Sequence, residues 1–155
     1  MPPEWATHER TVICWPTRRE LWGAHRPEAE AAHAALARTI SGHEPVTMIA
    51  RPEDVDRARA LCGEGVEVVG IPIDDSWFRD SGPIYVTGGG RRVGVCWRFN
   101  SWGGKFVPYD DDARVARAWL AYAGHDGRAV DMVLEGGSIH VDGAGTLLTT
   151  EQCLL

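Results

Sequence analysis

Val46-Thr47-Met48-Ile49-Ala50, then Arg51, Pro52-Glu53-Asp54-Val55 and on to Cys62-Gly63, then Val66-Glu67-Val68-Val69-Gly70-Ile71, is the stretch that sets the fold class. Its first five residues form a short apolar run and read as a strand. Pro52 suits the first turn of a helix. Glu53 and Asp54 place negative charge at the positive end of its dipole. Val55, Ala58 and Cys62 fall along one face of that helix, and Gly63 stops it. The β-branched run from Val66 to Ile71 is the next strand. Strand, helix and strand in succession specify an α/β architecture.

The same alternation continues outward. Towards the N-terminus, Thr11 to Trp15 reads as a strand ended by Pro16. Residues from about Pro27 to Ile40 read as a helix whose buried stripe is Ala29, Ala32, Leu36 and Ile40, with Gly42 as its stop. Towards the C-terminus, Ile73 to Pro83 is a polar loop. Ile84–Thr87 and Val93–Phe99 are strands joined by Gly88-Gly89-Gly90. A second loop holds Asn100-Ser101-Trp102-Gly103-Gly104-Lys105. Asp110–Asp112 opens a third helix that buries Ala116, Trp119, Leu120 and Ala123 and stops at Gly124. A third loop is built around Leu134-Glu135-Gly136-Gly137. Ser138–Val141 and Thr146–Thr150 then pair as a hairpin across Asp142-Gly143-Ala144-Gly145. The spacing of these elements suggests an internal repeat.

Composition narrows the function. A chain of 155 residues, 44% hydrophobic and 25% charged, matches ordinary globular domains, which excludes disorder and a disulfide scaffold. A net charge of −6 is the wrong sign for a nucleic-acid phosphate surface and suits a cationic ligand. No apolar run approaches the roughly 20 residues that span a bilayer, and Met1-Pro2-Pro3-Glu4-Trp5 has no leader-like basic and apolar regions. A cytoplasmic setting, without membrane or nucleic-acid partners, is therefore expected. Cys14, Cys62, Cys96 and Cys153 form no C-x-x-C pair, and all four are expected to be reduced, buried thiols. The last nine residues, Leu147 to Leu155, are strongly apolar and end without a turn, which reads as a chain cut within a core.

The chemistry lies in the three polar loops. Asp74-Asp75-Ser76-Trp77-Phe78-Arg79-Asp80 carries three carboxylates, an arginine and a tryptophan. Asp80 and Glu135 in one pocket would repel each other unless a cation sat between them. A guanidinium fits: it is planar, always charged and offers paired N–H donors, and a Trp face can stack on it. Other roles stay open at this level. Asp74 and Asp75 suit turn or cap positions, Arg79 suits an internal ion pair with Asp80, and Glu135 suits a solvated turn. His140 suits a structural role in its strand and Lys105 a surface one. No EF-hand or His-x-x-x-His spacing marks a metal site, and no metal or cofactor is expected.

Four blocks carry a resemblance. They are residues 1–8 with Cys14-Trp15-Pro16, Asp74 to Pro83, Phe99-Asn100-Ser101-Trp102-Gly103-Gly104-Lys105, and Leu134 to Gly143 with Thr149 to Leu155. In order and spacing they are similar to the agmatine deiminase family, which includes the Porphyromonas-type peptidyl-arginine deiminases. The resemblance implies a partial pentein-type α/β propeller of repeated ββαβ-like modules, of which this chain holds the N-terminal ones. Residues 1–155 would be the N-terminal portion of a single deiminase domain, its C-terminal portion absent.

The implied reaction hydrolyses agmatine to N-carbamoylputrescine and ammonia through a Cys thiouronium intermediate, without a cofactor. Asp80 and Glu135 are the implied catalytic, guanidinium-binding carboxylates, with Trp77 as a wall of the substrate pocket. Trp5, Asn100 and Lys105 lie in the motifs without an implied catalytic role. The family's nucleophilic Cys and catalytic His-x-Asp lie beyond the Thr-Thr-Glu-x-Cys-Leu-Leu motif at which this chain stops. Cys153 matches that motif's cysteine and His140 the hairpin, so no nucleophile is expected here and the chain alone is expected to be inactive. A peptidyl-arginine or free-arginine deiminase, and a non-catalytic module binding cationic ligands, are the alternatives. A homo-oligomer is an expectation for the full-length form.

Overall fold

The computed structural model describes residues 1–154. The chain forms two compact units, His8–Phe78 and Met1–Thr7 with Arg79–Leu155.

The first unit is a three-stranded parallel sheet, β1 (Thr11–Cys14), β2 (Val46–Ala50) and β3 (Glu67–Gly70), in that order. Val12 lies opposite Thr47, and Met48 opposite Val68. A helix at Arg26–Ser41 connects β1 to β2, and one at Val55–Cys62 connects β2 to β3. β2 is central and buried along its whole length, as an unbroken apolar run in a parallel sheet requires. The core gathers Trp15, Ala34, Ala37, Met48, Ala58, Cys62 and Val68, so the face expected for the second of these helices is the one that packs.

The long helix corrects its expected face. Ala32 and Leu36 are exposed, and the buried side is Ala29, Glu30, Ala34 and Ala37. The reason is Glu30, which reading by apolar residue type would place outside. Its carboxylate is 2% exposed and sits between Arg26, at 3.0 Å, and Arg57. A buried carboxylate paired on two sides is tolerated where a lone one is not, and it turns the helix away from the purely apolar stripe.

The second unit builds a hairpin, a helix and a returning strand. β4 (Ile84–Gly88) pairs antiparallel with β5 (Arg91–Arg98), and the helix Asp112–Ala123 leads to β6 (Gly127–Val133), parallel to β5. The helix buries Val115, Ala116, Trp119 and Leu120, close to expectation. Leu120 packs over Gly94 and Gly127, which lie opposite each other across β5 and β6; a Cβ at either would run into its side chain. Strand β6 is an element that the sequence pattern missed. Most of its side chains are exposed, so no alternation marks it. A small hairpin follows, β7 (Ile139–Val141) against β8 (Leu147–Thr149), with Ile139 in a cluster with Ile84 and Leu134. Cys153 departs from expectation: it is exposed, whereas Cys14, Cys62 and Cys96 are buried.

Candidate functional site

The Asp74–Asp80 stretch divides its carboxylates between two uses. Asp74 and Asp75 belong to the first unit and are buried, 6% and 3% exposed. The Asp75 carboxylate accepts from Arg18 Nε at 2.9 Å and from the Ser76 amide at 2.8 Å. The Asp74 carbonyl accepts from the Thr17 hydroxyl at 3.0 Å, and Arg51 donates to the Ile73 carbonyl at 2.6 Å. These contacts make Asp75 half of a buried ion pair, a role beyond the turn or cap its position suggests. Trp77 lies near the end of the same unit, 47% exposed.

Asp80 belongs to the second unit, in a single helical turn, Phe78–Ser81. Its Oδ1 accepts from the Gly137 amide at 2.9 Å, and its Oδ2 from the Trp102 indole Nε1 at 3.2 Å. Both donors are neutral. Arg79 does not pair with Asp80, as its neighbouring position would allow. Its guanidinium grips Glu4 with two donors, one at 3.1 Å, and feels Asp80 only through space. Among the described residues no cation lies within ion-pair distance of Asp80.

Glu135 is brought to the same place. Its backbone is pinned by Ser138, whose amide and hydroxyl both donate to the Glu135 carbonyl, at 3.0 and 2.6 Å. The tight turn Gly136–Ser138 follows it. A Cβ at Gly136 would run into the Arg79 carbonyl, and one at Gly137 into Asp80 Oδ1. The two glycines are there for close approach, and through them the Glu135 loop docks on the Asp80 turn. Partial burial pushes the Glu135 carboxyl above the usual glutamate range, and the nearby Asp80 charge adds to the rise. The loop thus brings the Glu135 carboxyl close enough to feel the Asp80 charge, an arrangement that favours a cationic guest.

Trp102 is the residue whose part the sequence left unread. Ser101 and Trp102 have φ of +55° and +54°, and Gly103 and Gly104 have +82° and +78°. The Gly104 amide donates to the Asn100 carbonyl at 2.7 Å, and the Lys105 amide to the Ser101 carbonyl at 2.9 Å. This is one turn of left-handed helix. The glycines adopt it freely, while Ser101 and Trp102 do so at roughly 1–2 kcal/mol each. Side chains hold it: Asn100 Oδ1 accepts from the Gly103 amide, and Ser101 Oγ from the Phe106 amide. The visible signal was the glycine pair directly after an Asn-Ser-Trp.

Other features stand apart from this site. A cavity of about 450 Å³ in the second unit is lined by Trp97, Arg98, Phe99, Arg114 and Arg117 among others, and includes neither Asp80 nor Glu135. Its arginines make it a poor host for a guanidinium. Burial pushes the Cys62 and Cys96 thiols up, away from the thiolate form that a nucleophile needs. His140 is exposed on β7, and Lys105 is exposed beside Phe106. Among the described residues no group of three His, Cys, Asp or Glu side chains is placed to hold a metal ion, and no helix is long and apolar enough to cross a membrane.

The model of the Porphyromonas-type peptidyl-arginine deiminase family matches residues 1–155. The chain belongs to that family. The chain is 46% identical to the agmatine deiminase of Pseudomonas aeruginosa strain LESB58 over 162 residues, covering 100% of this chain and 44% of the relative. It is 47% identical to the agmatine deiminase of Stutzerimonas stutzeri, with the same coverage. Among solved structures it superposes on the agmatine deiminase of Enterococcus faecalis with a TM-score of 0.93 at 36% identity, covering 100% of this chain and 44% of that one. It also matches C. jejuni agmatine deiminase with substrate bound, at a TM-score of 0.84 and 28% identity, covering 95% and 44%. The chain thus spans under half the length of these relatives. The α/β fold of this family member matches theirs, with small, open sheets.

Proposed function

We propose that this chain carries part of the guanidinium site of an agmatine deiminase-like hydrolase. The observation that carries the reading is the convergence of Asp80 and Glu135 with only neutral donors on Asp80. In this role Asp80 binds paired guanidinium N–H groups and Glu135 supplies the second carboxylate. The carboxylates stabilise the cation and orient its carbon for attack. The whole enzyme's reaction replaces one guanidinium nitrogen by water's oxygen, through attack by a Cys thiolate and loss of ammonia, with a His moving the protons.

On the same reading the chain is the N-terminal portion of a pentein-type propeller domain, acts in the cytoplasm on a small guanidine, and takes its nucleophile from outside these residues. Burial holds Cys62 and Cys96 towards the thiol form, so neither of these two suits the nucleophile's role. A peptidyl-arginine substrate remains the alternative that the family's own description supplies.

Calorimetric titration of the 155-residue protein with agmatine, with ammonia measured in the same samples, tests this. Binding without ammonia release is expected, weakened in Asp80→Ala and in Glu135→Ala. Turnover that depends on one of the four cysteines would overturn the reading of the chain as a binding portion.

A further inference from the structure

The left-handed turn at Asn100–Lys105 is costly backbone, and packing alone does not account for it. The Trp102 ring lies edge-on to Phe99 and Phe106, with centroids 5.3 and 5.9 Å away. A phenyl ring would satisfy both contacts. What only the indole brings is its N–H, and that group points at Asp80 Oδ2.

A carboxylate held at one oxygen rotates readily, because its terminal torsion has no sharp minimum. Asp80 is held at both. Gly137, from the Glu135 loop, takes Oδ1, and Trp102, from the left-handed turn, takes Oδ2. Each oxygen keeps acceptor capacity for a ligand, and the plane of the carboxylate is fixed. A planar guanidinium binding through two parallel N–H groups needs that plane defined. Strain retained at a turn that ends on a candidate ligand-binding carboxylate is the pattern expected of a pre-organised site.

We infer that Trp102 is a positioning residue, whose indole N–H orients the Asp80 carboxylate for two-point recognition of a guanidinium. The inference rests on the reading of Asp80 as a guanidinium-binding carboxylate.

The test compares agmatine with putrescine, which has an ammonium group in place of the guanidinium. Binding of each to the ¹⁵N-labelled 155-residue chain is followed by NMR for wild type, Trp102→Phe, Trp102→His and Asp80→Ala, with amide dispersion reporting the fold. Trp102→Phe keeps the ring packing and loses the donor, so agmatine binding should weaken about tenfold while putrescine binding changes little. Trp102→His, which retains a ring N–H, should recover part of the loss.

Trp102→Phe binding agmatine as wild type does, while Asp80→Ala binds it weakly, would remove the positioning role and leave the site intact. Equal weakening of both ligands, unrelieved by Trp102→His, would make Trp102 a structural residue only and overturn the inference. Failure of wild type to bind agmatine, or binding untouched by Asp80→Ala, would remove the site reading and this inference together.

Discussion

Asp75 and Asp80 lie in one short stretch, yet their surroundings differ in kind. Asp75 is buried against the Arg18 guanidinium, so its charge is neutralised within the protein. Asp80 is held by an amide and an indole, which orient it, and among the described residues no cation pairs with it directly. A carboxylate that already has its cation contributes to the fold, whereas one held by neutral dipoles still has a cation to attract. Binding function is therefore better judged by what satisfies an acidic residue than by its place in an acidic motif.

The largest effect should come from breaking the first arrangement. Asp75→Ala leaves the buried Arg18 charge without that partner, at a cost of about 3–5 kcal/mol. Thermal unfolding should show a fall in Tm on the order of 10 °C. If Asp75→Ala melted like wild type, the contrast between the two aspartates would collapse.

Asp80→Ala should behave in the opposite way, with a small change in Tm and a loss of agmatine affinity of about 10- to 100-fold by calorimetry, the range for hydrogen bonds to a charged group. Gly137→Ala sharpens the comparison further. Its new Cβ displaces Asp80 Oδ1 without touching the charge, so agmatine affinity should fall about fivefold, a smaller loss than deletion of the carboxylate. An affinity equal to wild type would mean that the carboxylate needs no clamp.

The smallest effect is one of pH. The Glu135 carboxyl is raised above its ordinary value of 4.5 by burial and by Asp80. Between the ordinary and the raised value the folded chain holds more protons than the unfolded one, so this group's contribution to stability falls as pH rises through that window. Glu135→Gln should therefore slightly raise Tm at neutral pH while weakening agmatine binding. In the wild type, agmatine affinity should drop as pH is lowered through the same window, because the ionised form is the one that binds. Melting and titration series across pH 4 to 7 check both signs.

The sequence made the first unit legible and the second only partly so. The apolar run at Val46–Ala50 reads as a strand, and it is the central, buried one of its sheet. The apolar residues of the long helix point to the wrong face because Glu30 is buried between Arg26 and Arg57, and the second of these pairings is one that no local pattern announces. Strand β6 escapes the sequence pattern for a related reason: most of its side chains are exposed, and parallel pairing to β5 fixes it instead of alternation. At the site, Asp80 and Glu135 stood out through their motifs, and the structure brings them together. The separation of Asp75 from Asp80, the Glu4–Arg79 pair and the reach of Trp102 depend on contacts between residues tens of positions apart.

The Asn100–Lys105 turn has a consequence for which sequences this loop accepts. Its backbone is a small piece of the mirror-image helix, so the usual preferences of amino acids are inverted there. Alanine, the best residue for ordinary helices, gains nothing at position 101 or 102, and a β-branched residue at either should be rejected. By contrast, a D-amino acid placed at 101 by chemical synthesis should suit the backbone better than the natural serine. The loop's tolerance is thus set by handedness before polarity or size, and variation there should be confined to residues that can be wound backwards.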